Sequence, residues 1–270
     1  MKKRVGIIGC GAIGAAIIRQ WADAGLDHCE LAAVLVRPER VSTVPTVPGE
    51  SFTVHTDIDA FMASGLDIVL EAAGHAAVFE YGEQVLRSGA EFVVISVGSL
   101  VDAGLHARLL EAAETSGGRL VVPVGAIAAL DGLATLRYAG LHTVHYYSSK
   151  PPMAWMGTPA EANFDLPALK ERTVIFSGNA ADAARLYPRN ANLAAAVAFA
   201  GLGLERTQVT LAADPALSGN EGRIEAEGEG SRLSLTVSGN SDPANPKTSQ
   251  TAAMSMLAAL QRRTGVLTFT

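Results

Sequence analysis

Val5-Gly6-Ile7-Ile8-Gly9-Cys10-Gly11-Ala12-Ile13-Gly14-Ala15-Ala16-Ile17-Ile18 joins a β-branched run to a helical repeat through the spacing G-x-G-x-x-G. The spacing alone is a weak signal; its place between a strand and a helix makes it specific. Gly9 is expected to take the tight turn, Gly11 to let a pyrophosphate approach the backbone, and Gly14 to let helix and strand pack closely. Ala12 and Ile13 open the helix, where free amides and the positive end of the helix dipole attract phosphate. The stretch therefore predicts a dinucleotide cradle, for NAD or NADP.

From Arg4 to about Pro123, strand candidates (Arg4 to Ile8, Leu31 to Val36, Asp67 to Ala72, Glu91 to Ser96, Arg119 to Val122) alternate with helical stretches (Ala12 to Ala24, Ala76 to Ser88, Val101 to Ser116). Strands that read as nearly continuous apolar runs are buried on both faces, as in a parallel sheet covered by helices. After Gly125 the pattern changes. A helix is expected at Ala126 to Tyr138, an alternating strand at Leu141 to Ser149 and a loop at Lys150 to Pro159. Then come a strand at Thr173 to Ser177, a helix from Asn179, a helix at Asn192 to Leu204, and three antiparallel runs between Gln208 and Val237. The fold class is α/β, an N-terminal Rossmann doubly wound parallel sheet with a second α+β domain. The expected divisions are 1–125 for the dinucleotide domain and 126–244 for the α+β substrate and dimerisation domain. Residues 245–270 form a C-terminal helix and strand packing back on the Rossmann domain.

The 270 residues are 49% hydrophobic and 18% charged, enough apolar material for two cores, and the net charge of −6 disfavours nucleic acid and anionic membrane as partners. A small molecule is the expected partner, with the chain itself a homo-oligomer. Met1-Lys2-Lys3-Arg4 before an apolar run has the outline of a secretory signal, but no small-residue cleavage site follows Ile18. No apolar run approaches the ~18 residues that span a bilayer. Cys10 and Cys29 are the only cysteines, too few for a disulfide framework and without metal-ligand spacing, so the expected compartment is the cytoplasm and no metal is expected.

A carboxylate normally ends the second strand of such a domain and binds the adenine ribose; here Val36 is followed by Arg37, with Arg40 close by, which favours a 2′-phosphate. Glu71-Ala72-Ala73-Gly74-His75 and Ser96-Val97-Gly98-Ser99 follow later strands, and their small residues, Ala73 and Gly74 among them, would let the backbone lie against ribose and nicotinamide. His75 would face that crevice. Lys150, before Pro151-Pro152, is a candidate carboxylate ligand or, desolvated, a base. Asn190 and Asn192 either cap a helix or bond cofactor and substrate. Asn245-Pro246 reads as N-cap and first position of a long helix, which would place Lys247, Thr248 and Ser249 on its first turn as an anion clamp.

Several stretches taken jointly resemble the L-aspartate dehydrogenase family over nearly the whole chain: Glu71 to Val78 (EAAGHAAV), Ser96 to Leu100 (SVGSL), Gly125 to Asp131 (GAIAALD), Ser149 to Trp155 (SKPPMAW), Phe176 to Arg185 (FSGNAADAAR), Tyr187 to Ala195 (YPRNANLAA), Ala200 to Leu204 (AGLGL) and Asn245 to Ser249 (NPKTS). The resemblance implies oxidation of a small dicarboxylic amino acid with NAD or NADP, and places Ala126 and Asn192 at the family's cofactor-contacting positions. It also carries a departure. The family's catalytic histidine stands in an Asn-x-His-x-Ile pattern after an Asp-Pro, and here that segment reads Asn220-Glu221-Gly222-Arg223-Ile224. A general acid–base group contributes ~10² to 10⁴-fold in rate, so the glycine calls for another proton carrier, Lys150 or His75. A dehydrogenase or imine reductase on another substrate, or a non-catalytic dinucleotide sensor, stays open at this point.

Overall fold

A computed structural model describes residues 2–188, 190, 192–239, 241–242 and 245–268, with the backbone alone for 241–242 and 245–250. The chain divides into two compact units, residues 1–123 with 252–270, and residues 124–251. Among the described residues no helix is long and apolar enough to cross a membrane.

The first unit runs β1 (Lys3–Ile8), α1 (Ala12–Gln20), β2 (Cys29–Leu35), β3 (Thr53–His55), α2 (Ile58–Met62), β4 (Ile68–Glu71), α3 (His75–Arg87), β5 (Glu91–Val94), α4 (Ala103–Ser116) and β6 (Arg119–Val121). All six strands are parallel, in the order β3-β2-β1-β4-β5-β6. The order reverses direction between β1 and β4, and ligands of such sheets bind beyond the carboxyl ends of the strands at that reversal. Val5, Ile7, Ile68, Leu70 and Val93 share one buried cluster with Ile17 and Ile18 of α1, while α3 and α4 pack against β4, β5 and β6. Helix starts follow side-chain chemistry: Asp57 caps α2 by accepting from Ala60 N, and Asp102 caps α4 by accepting from Leu105 N. The short edge strand β3 was not among the expected strands.

The second unit contains α5 (Leu130–Tyr138), β7 (Leu141–Lys150), α6 (Ala160–Asn163), β8 (Thr173–Asn179), α7 (Ala180–Leu186), α8 (Asn192–Ala200), β9 (Gln208–Ala213), β10 (Asn220–Gly228), β11 (Ser231–Gly239), β12 (Ser241–Asp242) and β13 (Asn245–Ser249). Five strands form a mixed sheet in the order β11-β10-β7-β9-β8. Alternation buries Val144, Tyr146, Ser148 and Lys150 of β7 and Gly222, Ile224 and Ala226 of β10; α5 packs on both strands and α8 on β7.

Four expectations need correction. The helix expected from Ala126 begins at Leu130, because Gly125 (φ 65) and Ala129 (φ 63) are left-handed and the intervening turn closes through Ile127 N and Val124 O. Of the three final runs only β10 and β11 form the antiparallel hairpin; β9 lies parallel to β7 and antiparallel to β8. The last helix, α9 (Gln250–Thr264), starts at Gln250 rather than Asn245: residues 245–249 are extended as β13 and pair with β12. A residue before proline favours extended backbone, so Asn245-Pro246 serves a strand as well as a helix cap. No strand follows α9 among residues 265–268. The expected division at Ala244 falls outside the described residues.

Candidate active site

The turn between β1 and α1 is built on three glycines. Gly9 has φ 94, and a Cβ on it would lie 2.7 Å from Ala73 Cα; a Cβ on Gly14 would lie 2.1 Å from the Gly9 carbonyl oxygen. Both positions therefore admit no side chain. A Cβ on Gly11 meets nothing within 4 Å, and Gly11 is the N-cap of α1 with no side chain capping the helix. The first amides of a helix need a partner from outside it, and Gly11 leaves the approach open where a side chain would fill it. The residues present thus fit the pyrophosphate of a dinucleotide, with Ala12 and Ile13 on the opening turn.

Cations surround this turn. Burial pushes the Cys10 thiol up, and the charges of Arg19 and Arg40 pull it partly back. Arg37 ends the extended segment after β2, its exposed side chain 3.3 Å from Glu39. An exposed pair of this kind is worth ~0–1 kcal/mol.

Beyond β4, Gly74 (φ 114) caps α3 and His75 is its first residue, half-buried. The small-residue loop Ala72–Gly74 stands against the phosphate turn through the Gly9–Ala73 approach. Glu71, the last residue of β4, is fully buried. Its Oε1 accepts from Ala73 N (2.8 Å), Gly74 N (2.7 Å) and Ser96 Oγ (3.1 Å), and its Oε2 from Ser96 N (3.0 Å). The sequence reading passed over this residue as merely the end of a strand.

In the second unit, Lys150 ends β7, and its backbone oxygen accepts from Asp214 N. It is 8% exposed, donates from Nζ to Asn190 Oδ1 at 3.1 Å, and stands 5.5 Å from the ring centre of Trp155. Trp155 is itself fixed, through Nε1 to the Ala212 oxygen and edge-on to Tyr187. No carboxylate pairs with Lys150 among the described residues. Burial lowers its pKa to about 8. Asn190 thus serves the lysine, while Asn192 opens α8 and Ala126 sits in the turn before α5.

Gly222 lies on β10 opposite Ser148, in ordinary extended backbone rather than the left-handed region. A Cβ there would meet Ile127 Cδ1 at 3.0 Å and the Tyr146 hydroxyl at 3.4 Å. Tyr146 is wholly buried, which pushes its pKa up to about 12. Two residues before Gly222 on the same face, Asn220 carries a buried Oδ1 with no hydrogen-bond partner among the described residues. The pairing of Glu221 with Ser149 puts Asn220 beside Lys150 in register. Tyr146 escaped the sequence reading, which names Asn220 only as the Asn of the Asn-x-His-x-Ile segment, although the period-2 spacing of Tyr146, Ser148 and Lys150 was a usable signal. Lys247, Thr248 and Ser249 belong to β13, so the helix-terminus argument for an anion clamp falls; their side-chain contacts lie outside what the structure describes.

Residues 131–263 match the family described as aspartate dehydrogenase, C-terminal, and residues 9–123 the homoserine dehydrogenase NAD-binding domain. The L-aspartate dehydrogenase of Ralstonia pickettii is 43% identical over 265 residues, covering 96% of this chain and 97% of its own. That of Pseudomonas aeruginosa is 40% identical over 255 residues, covering 94% and 95%. Among solved structures, aspartate dehydrogenase from Thermotoga maritima superposes with a TM-score of 0.75 at 24% identity, covering 100% of both chains, a likeness of fold.

Proposed function

The chain belongs to the L-aspartate dehydrogenase family and is an NAD(P)-dependent amino-acid dehydrogenase, and from that premise we propose that it oxidises L-aspartate with Lys150 as the proton carrier. The observation that carries the reading is a buried lysine that pairs with no carboxylate among the described residues and is held by an amide oxygen and an indole face.

When bound, the dinucleotide supplies the hydride acceptor. The chain's own work is to bind the amino acid and move a proton. An amine with pKa about 8 is partly neutral near physiological pH, which suits a base. Asn190 takes one Nζ–H and thereby orients the lone pair of the neutral amine away from itself. Lys150 then removes a proton from the substrate ammonium, leaving the nitrogen lone pair to form the C=N bond as the Cα–H leaves as hydride. The products are iminoaspartate, which water converts to oxaloacetate and ammonia, the reduced dinucleotide and one proton. Asn220 Oδ1, a buried acceptor in need of a donor, is assigned to a substrate N–H. Lys247, with Thr248 and Ser249, is assigned to the second carboxylate of a dicarboxylic substrate. His75, in the first unit, is the alternative proton carrier. NADP is proposed to be accepted at least as well as NAD, on the strength of Arg37 and Arg40, with Arg37 standing where a carboxylate normally ends the second strand.

The decisive measurement is the pH dependence of kcat/KM for aspartate oxidation. In the wild type it is expected to rise through a pKa near 8 as Lys150 loses its proton. Lys150→Met is expected to lower the rate ~10²-fold or more and to remove that limb. A Lys150→Met enzyme with the wild-type profile would exclude Lys150 as the base and turn attention to His75.

A further inference from the structure

We propose that Glu71 is a positioning residue for the cofactor: its carboxylate locks together the two loops, Ala72–Gly74 and Ser96–Ser99, that floor the crevice beside the phosphate turn. The proposal rests on the reading that the first unit binds a dinucleotide.

Three loops meet at the carboxyl edge of the sheet. The phosphate turn follows β1, the small-residue loop follows β4, and Ser96 follows β5; β1, β4 and β5 are neighbours. The first two loops touch closely enough that Gly9 tolerates no Cβ against Ala73. The second and third are tied by Glu71 alone among the hydrogen bonds described, since one carboxylate collects Ala73 N, Gly74 N, Ser96 N and Ser96 Oγ. The tie extends further: Ser99 donates both its N and its Oγ to the Ser96 carbonyl.

The residue type matters. A buried carboxylate without a cation is costly unless hydrogen bonds satisfy it, and no ion pair to Glu71 occurs among the described residues. Burial pushes its carboxyl up, and the four donors act in the opposite direction. Only an acceptor-only group converges on four donors without presenting a donor of its own. A glutamine in its place would aim an N–H at Ser96 N or at the Ala73 and Gly74 amides. An apolar side chain packed against the sheet would serve stability alone; a carboxylate aimed at loop amides serves loop geometry. The loop it arranges contains Gly74, whose φ of 114 is a conformation that needs to be held.

The test compares wild type, Glu71→Gln and Ser96→Ala by NADPH fluorescence titration, steady-state kinetics and thermal melting. Glu71→Gln is expected to raise the Kd and KM for NADPH about 10-fold or more. The KM for the amino acid, and kcat at saturating cofactor, should stay within about twofold. Ser96→Ala, which keeps the carboxylate and removes one donor, should give a smaller rise, and the double variant should add little to Glu71→Gln. Unchanged NADPH affinity in folded Glu71→Gln overturns the proposal, as does an equal loss for cofactor and amino acid. If Glu71→Gln does not fold, Ser96→Ala decides: a selective rise in NADPH Kd supports the proposal and an unchanged Kd overturns it. A wild-type chain that binds neither NADH nor NADPH overturns the dinucleotide reading, and this proposal with it; wild-type binding with unaffected variants overturns this proposal only.

Discussion

At the scale of single residues, Lys150 and Gly222 divide the question of where the proton goes. Lys150 is a cation that folding desolvates: its pKa falls from 10.5 to about 8, so below pH 8 the folded chain carries a buried charge that the unfolded chain leaves in water. That difference destabilises the fold by about 3 kcal/mol, relieved as pH rises from about 8 to 10.5 while the unfolded chain still binds the proton. Lys150→Met should therefore melt no lower than wild type at pH 7 while losing activity, the sign expected of a functional residue kept at the expense of stability. Gly222 is the complementary case. Its backbone is extended and free of left-handed strain, and the tightest obstacle to a Cβ is the flexible end of Ile127, so the Cβ of a histidine is admissible there. Gly222→His is expected to raise kcat/KM for aspartate ~10-fold, because an imidazole titrates near neutrality close to the Tyr146 hydroxyl. Kinetics with aspartate, and with oxaloacetate plus ammonia, decide it; a folded, cofactor-binding variant without gain in either direction would mean that the Gly222 position no longer serves proton transfer. The glycine at this position was legible in the sequence; the hydroxyl and the unpartnered Asn220 oxygen facing the same side were not, since they depend on the register between β10 and β7.

At the scale of elements, legibility followed burial. β1, β4 and β5 are buried on both faces over Val5–Ile8, Ile68–Glu71 and Phe92–Val94, so short apolar runs mark them in the sequence. β3 is three residues at the sheet edge, Thr53-Val54-His55, too short and too polar to stand out. The direction of β9 is invisible locally, because a strand's sequence records which faces are buried and not which way its neighbour runs. The late start of α9 has a similar origin: pairing of β13 with β12 competes with an Asn-Pro helix signal and wins. The segment after β2 is where an element is proposed to set cofactor specificity. It ends in Arg37 and turns through Pro38–Thr43, which carries Arg40; no carboxylate stands at the end of the strand itself, and the Glu39 of the turn is paired with Arg37. Arg37→Asp and Arg40→Asp are each expected to shift the NADP-to-NAD affinity ratio at least 10-fold toward NAD, read by fluorescence titration with both reduced cofactors. A ratio unmoved by either change would leave cofactor choice to other parts of the cradle.

At the scale of the whole molecule, chain order and compact units disagree, and that disagreement can be measured. The first unit is not complete at Pro123: the chain leaves it, builds the second unit, and returns from Ala252 onward. Ala253, Met256, Leu257, Ala259 and Leu260 of α9 join the same buried cluster as Val5, Ile7, Ile17 and Ile18, and Cys29 Sγ meets Thr264 Oγ1 at 3.4 Å. Part of the surface that covers β1 and flanks α1, the element carrying the phosphate turn, therefore comes from the far end of the sequence. Leu260 is fully buried, and truncating it leaves a cavity that the surrounding strands cannot close. Leu260→Ala is expected to cost about 2–5 kcal/mol, whereas Val266→Ala, at a residue 94% exposed, should change stability by less than about 0.5 kcal/mol. On the proposed reading that NADPH binds the folded first unit, saturating NADPH should recover part of the Leu260→Ala loss by mass action. Urea unfolding with and without NADPH, for both variants, reads the two effects separately. Equal, small effects of Leu260→Ala and Val266→Ala would mean that α9 is not part of the core beneath the cradle. A large Leu260→Ala effect that NADPH does nothing to reverse would mean that the cofactor does not report on this unit.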